Sequence, residues 1–128
     1  MNDTRAGTVL VVDDDAMVVE IYRLTLERAG FKVLVAGDGP AALEVVSSTS
    51  PGLILLDIKM PRMDGIEVLR RLAAEERTRA IPVVMLSNFD DPALISESRR
   101  LGAKQYCIKA NINPARELAE IVRTWLPA

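Results

Sequence analysis

The sequence contains no histidine and only one cysteine, Cys107. Without imidazole there can be no Cys/His zinc site, no histidine-based catalytic triad and no phosphohistidine formed on the chain itself, and a lone thiol excludes an intramolecular disulfide. Any metal must then be a hard cation held by carboxylates. Aromatic residues are scarce at 4%, and 16 basic against 18 acidic residues leave a net charge of -2. No lysine–arginine block or aromatic–basic interleaving marks a nucleic-acid footprint. No apolar run approaches the ~18 residues that cross a bilayer, and the stretch from Met1 to Thr8 has neither an apolar signal segment nor a cleavage site. The expectation is a cytoplasmic protein that binds neither nucleic acid nor membrane.

What is present is a regular alternation. A chain of 128 residues fits one domain, 1–128 with a core of about 8–126, and can bury roughly two thirds of its unfolded surface. Short β-branched or leucine-rich runs occur at Thr8 to Val12, Phe31 to Val35, Leu53 to Leu56, Ile81 to Leu86 and Gln105 to Ile108. Most read as strands buried on both faces, as in parallel sheets. Between them the period is helical. The first helix is predicted from Ala16 to Ala29, with Val18, Ile21, Tyr22, Thr25 and Ala29 on one face and Gly30 as its stop. Gly39-Pro40, Asp64-Gly65, Asp91-Pro92 and Asn113-Pro114 open four more, since proline suits the first helical position. The last carries an inward stripe of Leu118, Ile121, Val122 and Trp125.

Five βα units with short connections imply an α/β, doubly wound, open parallel sheet with helices on both faces. Ligands of such sheets gather beyond the carboxyl ends of the strands. Polar residues stand there: Asp13, Asp14 and Asp15 after the first strand, Asp57 after the third, Ser87 ending the fourth and Lys109 following the fifth. Carboxylates crowded at one sheet edge repel each other unless a cation neutralises them, and an all-oxygen ligand set suits Mg²⁺. A carboxylate is also an adequate nucleophile toward an activated phosphoryl group when the charge on the transferring oxygens is neutralised, which Mg²⁺ and Lys109 could do. Ser87 offers a hydroxyl that could reach a phosphoryl oxygen on Asp57.

Four strings in order, Val11 to Asp15, Leu55 to Gly65 with its D-x-x-M-P-x-x-D-G pattern, Met85 to Ser87 and Tyr106 to Lys109, resemble the receiver domain of bacterial two-component response regulators over residues 8 to about 126. The resemblance implies a flavodoxin-like five-stranded sheet of order 2-1-3-4-5 with five helices. It implies phosphorylation of Asp57 by a phosphohistidine on a sensor histidine kinase or histidine phosphotransfer protein. Mg²⁺ would be bound by Asp13, Asp14, Asp57 and the Lys59 carbonyl, with Lys109 on the phosphoryl oxygens. Ser87 and Tyr106 would switch the face made by helix four, strand five and helix five, which recruits a downstream protein target. Lys59 and Phe89 occupy positions associated with the lifetime of the acyl phosphate: Phe89 is expected to restrict the attacking water and Lys59 to perturb local charge. The expected assembly is a monomer or weak dimer.

Other residues take structural readings. Asp15 is assigned to the loop or to capping the first helix, Asp64 to a cap, Met60 and Met63 to gap filling, and Cys107 to a buried small hydrophobe. Tyr106 could equally be a core-edge aromatic. Ala110 stands where the family usually has proline, often after a cis bond. Such a bond to a non-proline residue costs about 2.5–4 kcal/mol, so Lys109–Ala110 is expected to be trans, or strained if cis, and a trans bond could send the loop from Ala110 to Asn113 along a different path. The competing functions are an aspartyl phosphate-ester hydrolase, disfavoured because Lys59 stands where such enzymes carry a second acid, and a non-phosphorylated pseudo-receiver that only binds partners. A stand-alone regulator and a receiver fragment of a hybrid kinase or transcription factor both fit the sequence.

Overall fold

The computed structural model describes residues 7–127; the first six residues and Ala128, included in the predicted domain, lie outside them. Five strands are present: β1 (Thr8–Val12), β2 (Lys32–Ala36), β3 (Leu53–Leu56), β4 (Val83–Ser87) and β5 (Gln105–Ile108). They alternate with α1 (Ala16–Arg28), α2 (Gly39–Thr49), α3 (Gly65–Ala74), α4 (Pro92–Arg100) and α5 (Ala119–Trp125). All neighbouring strands are parallel and the order is β2-β1-β3-β4-β5, which bears out the doubly wound sheet.

Strand burial follows position in the sheet. The apolar runs of β1, β3 and β4 are wholly buried, whereas the edge strand β2 exposes Lys32 and Val35. One core layer, built around Leu10, Val12, Ile54, Leu56 and Met85, faces α2 and α3. The other joins Val9, Val11, Leu53, Leu55 and Val84 to Tyr22 and Leu26 of α1 and to Leu118 and Val122 on the fifth helical segment. Successive strand residues point to opposite faces, so each strand feeds both layers. Among the described residues, no helix is long and apolar enough to cross a membrane.

Three boundaries differ from the sequence reading. The stripe of α1 is centred on Tyr22 and Leu26, and Ile21 is 47% exposed. The Phe31 amide donates to the Leu26 carbonyl, and Gly30, at φ 98°, donates to Glu27. Phe31 thus completes the stop of α1 and β2 begins one residue later. Pro82 has no N–H to give a ladder, so β4 begins at Val83 and extends to Ser87, which pairs with Ile108. After β5, a 3₁₀ turn (Lys109–Asn111) precedes a π-helical turn (Pro114–Leu118) that runs into α5. No cis peptide bond occurs among the described residues, so Lys109–Ala110 is trans.

The caps lie where Asx residues precede helices. Asp15 accepts from the Met17 and Val18 amides, Asp38 from Ala41, Asp64 from Glu67, Asp91 from Ala93 and Asn113 from Ala115. Gly65 has a further role that its place at a helix start does not reveal. Its amide donates to the Ile58 carbonyl at 2.7 Å, and a Cβ there would lie 2.0 Å from the Asp57 carbonyl oxygen. The backbone after β3 therefore turns back within contact of Asp57.

Gly65→Ala is expected to lower unfolding stability by at least about 2 kcal/mol, because the obstructing atoms are backbone and cannot rotate away. Urea unfolding of the variant would measure this, and a midpoint equal to the parent's would show that the turn has room for a side chain.

Candidate phosphoacceptor site

The site is built by strand register. Val12 and Leu56 are partners at the ends of β1 and β3, so the residues that follow, Asp13 and Asp57, emerge side by side. The Asp57 amide donates to the Val12 carbonyl at 2.9 Å, and the Asp13 amide to Ala36 at 3.2 Å. Both residues are buried, at 4% and 6% exposure, while Asp14 is exposed. Carboxylate oxygens of Asp13, Asp14 and Asp57 lie within 4.8 Å of one another. The three predicted acids are thus together, and the all-oxygen set suits a hard divalent cation.

Lys109 reaches into this group from the end of β5. Its Nζ lies 2.5 Å from Asp13 Oδ2 and 3.3 Å from Asp57 Oδ1, and the lysine side chain is 10% exposed. One Asp57 oxygen also accepts from the Ile58 amide at 2.8 Å, and Asp13 Oδ1 accepts from the Asp15 amide at 2.9 Å. Burial, followed by the neighbouring Asp13 charge, pushes the Asp57 carboxyl up to about 6, with Lys109 and the Ile58 amide opposing. Burial alone would lower the Lys109 amine, but its bonds and charge attraction to Asp13 and Asp57 outweigh that and raise it. The amine is therefore charged at neutral pH.

The other predicted residues form a second group beside the acids. Ser87 is wholly buried and its Oγ accepts from the Phe89 amide at 3.0 Å. The Tyr106 hydroxyl donates to the Phe89 carbonyl at 2.8 Å, and the Tyr106 ring packs at the margin of the core. The Lys59 amine lies 5.7 Å from the centroid of the Phe89 ring. The Lys59 side chain thus joins Phe89, not the carboxylates, and the two residues treated separately in the sequence are in contact. Cys107 is buried, with its thiol pushed up by burial, as an inert small hydrophobe would be.

Two neighbours of the site were not singled out from the sequence. Tyr22, buried on α1, feels the charges of Lys109, Asp13 and Asp57, and burial raises its phenol. Arg62 adopts the left-handed φ of 70° and pairs with Asp38 at 3.0 Å. The sequence placed the first only on the inward stripe of the first helix, and nothing local signalled the second.

Because the Asp57 pKa is higher folded than unfolded, the native state binds more protons between about pH 4 and 6, and the stability of the metal-free protein falls as pH rises through that window. Raising a carboxyl from about 4 to about 6 corresponds to about 3 kcal/mol at most. Asp57→Asn in EDTA is therefore expected to be more stable than the parent by about 1–3 kcal/mol at pH 7.5, with the gain gone near pH 4. Denaturant unfolding across this range reads the difference, and a gain that does not change with pH would contradict the assigned cause.

Residues 9–123 match the Response regulator receiver domain family. The chain is 39% identical over 107 residues to the DNA-binding response regulator MtrA of Mycobacterium tuberculosis, covering 84% of this chain and 46% of the relative. It thus spans about half the length of the curated relatives it matches. The chemotaxis protein CheY4 of Vibrio cholerae superposes with a TM-score of 0.86 at 28% identity, over 94% of this chain and 98% of that one. The phosphorylated cyanobacterial phytochrome response regulator RcpA superposes with a TM-score of 0.84 at 26% identity, over 95% and 99% of the two chains. Buried acids beneath a lysine at the sheet edge thus accompany a family match over nearly the whole chain, and the protein belongs to the response regulator receiver domains of two-component systems.

Proposed function

We propose that Asp57 accepts a phosphoryl group from a phosphohistidine of a sensor kinase or phosphotransfer protein in a Mg²⁺-dependent reaction. The observation that carries this reading is the convergence of the Asp13, Asp14 and Asp57 carboxylates within 4.8 Å, beneath the Lys109 amine. Asp13, Asp14, Asp57 and the Lys59 backbone carbonyl would hold the cation. When bound, Mg²⁺ supplies positive charge that offsets the phosphoryl oxygens and the crowded carboxylates.

The remaining work belongs to the chain's own side chains. An Asp57 carboxylate oxygen forms the new P–O bond while the P–N bond to the donor imidazole breaks, and the bond electrons leave with the imidazole. The Ile58 amide and Lys109 hold one Asp57 oxygen, which leaves the other to attack. Lys109 carries its charge to the transferring oxygens, a role for which its raised pKa keeps it protonated. The site is one of self-catalysed phosphoryl transfer and loss, with the partner protein supplying the activated group.

Ser87 and Tyr106 form the proposed switch. The Ser87 oxygen already accepts from the Phe89 amide, so its proton is free to be donated to a phosphoryl oxygen. Any displacement of Ser87 pulls on Phe89, whose carbonyl holds Tyr106. The face of α4, β5 and α5 would respond and engage a downstream protein. This is a shift between two populations, limited by how much more the phosphoryl group favours one of them. The Phe89 ring, braced by the Lys59 amine, would shield the acyl phosphate from water.

Acetyl phosphate with Mg²⁺ is expected to add one phosphoryl group to the parent protein by intact mass, and none to Asp57→Asn or to the parent in EDTA. An unmodified parent would sink the proposal. Phe89→Ala is expected to shorten the half-life of the adduct several-fold, followed by the same mass measurement over time. An unchanged half-life would remove the shielding role while leaving phosphorylation intact.

A further inference from the structure

We propose that Asp38 and Arg62 form a clamp that positions the loop from Lys59 to Asp64 and thereby sets the affinity of the acid cluster for its divalent cation. The inference rests on the reading of the site given above, and it adds two positioning residues that lie outside the carboxylate group.

The geometry starts at the corner between β2 and α2. Asp38 caps α2 with Oδ1, which accepts from the Ala41 amide at 2.8 Å, and its other oxygen accepts from Arg62 Nε at 3.0 Å. One carboxylate thus fixes a helix start and a distant loop together. Two residues earlier, the Ala36 carbonyl accepts from the Asp13 amide. The same corner is therefore bonded to the strand end that bears Asp13 and to the loop that follows Asp57.

Arg62 sits at φ 70°, a conformation that residues with a Cβ seldom adopt. A loop that bends through such a residue needs tethers to stay there. The ion pair is one. Packing is another: a Cβ on Gly39 would lie 2.7 Å from the Met63 Cβ and 3.0 Å from the Met63 carbonyl oxygen, so Met63 sits directly against this glycine. The loop ends at Gly65, bonded to Ile58. Lys59 to Asp64 is thus anchored at its far end by backbone and along its flank by Asp38 and Gly39, and its first residue carries the carbonyl proposed as a cation ligand.

Freeing the flank would leave the carboxylates in place, because strand register fixes them, and would loosen only the carbonyl. Residues that support a metal ligand change affinity by roughly 10- to 100-fold when replaced, and one acting through a solvent-exposed pair falls below that. Arg62 is 69% exposed, so its replacement leaves the core untouched.

The test measures Mg²⁺ affinity by calorimetric titration of the full chain. Asp38→Ser retains a capping oxygen for Ala41 but loses the partner of Arg62. Arg62→Gly removes the guanidinium while making the left-handed backbone comfortable. Gly39→Ala pushes on Met63. Each is expected to weaken Mg²⁺ binding by about 3- to 10-fold, with Arg62→Lys recovering part of the loss and the Asp38→Ser/Arg62→Gly double variant no weaker than its weaker parent. Unfolding midpoints of Arg62→Gly in EDTA should match the starting protein. Unchanged affinity in both Asp38→Ser and Arg62→Gly would overturn the clamp, and so would losses that add in the double variant, since the residues would then act separately. Failure of the unaltered chain to bind Mg²⁺ would overturn the functional reading and the clamp with it, and that outcome is visible before any variant is made.

Discussion

The structure depends on one crowded electrostatic arrangement: two buried carboxylates, Asp13 and Asp57, held at the ends of adjacent parallel strands under the ammonium of Lys109. Placing like charges in a site with little water costs free energy unless a counter-charge is present. Strand register forces the carboxylates together, because the partnered ends of β1 and β3 leave their next residues abreast. Lys109 follows β5, which lies beyond β4 from these acids. Its long stem must cross the end of β4, where the small Ser87 stands.

The balance is incomplete, and this makes the site useful. A single lysine bonded chiefly to Asp13 leaves Asp57 with a carboxyl pushed up to about 6 by burial and by the adjacent acid. The fold thus holds Asp57, the proposed nucleophile, in a state that a further positive charge would relieve. A core optimised only for stability would not keep this group buried, and destabilised polar clusters of this sort are characteristic of functional sites. The rest of the sheet is apolar enough to carry it: β1, β3 and β4 are buried along their whole length.

Around this centre the loops divide the labour. The β3–α3 loop is fixed by close backbone approach at Gly65 and by its flank on Gly39 and Asp38. In the β4–α4 loop Phe89 makes three contacts, its amide, carbonyl and ring meeting Ser87, Tyr106 and Lys59 respectively. Contacts of the first kind combine a backbone hydrogen bond, close packing on two glycines and an ion pair, and together they hold the loop at several points. Those of the second are two single hydrogen bonds and a cation–π contact, weak enough individually to exchange when a new acceptor arrives. The rigid loop lies beside the proposed cation and the adaptable one leads toward the α4–β5–α5 face.

The sequence by itself determined the alternation of elements, since buried parallel strands leave continuous apolar runs and Asx or proline residues announce helix starts. It also placed Asp13, Asp14, Asp57, Ser87 and Lys109, because a strand end is a local feature and the sheet brings its ends to one edge. Tertiary structure alone decided the rest. Leu26 replaced Ile21 on the buried face of α1 because the neighbours of a helix, not its period, choose which flank is covered. Phe31 left β2 because its amide was claimed by the stop of α1. The close approach of Gly65 to Asp57, the contact of Lys59 with Phe89 and the pairing of Arg62 with Asp38 join residues far apart in the chain or across a turn. No spacing rule encodes such contacts, because they are fixed only when separate loops are packed over the same sheet edge.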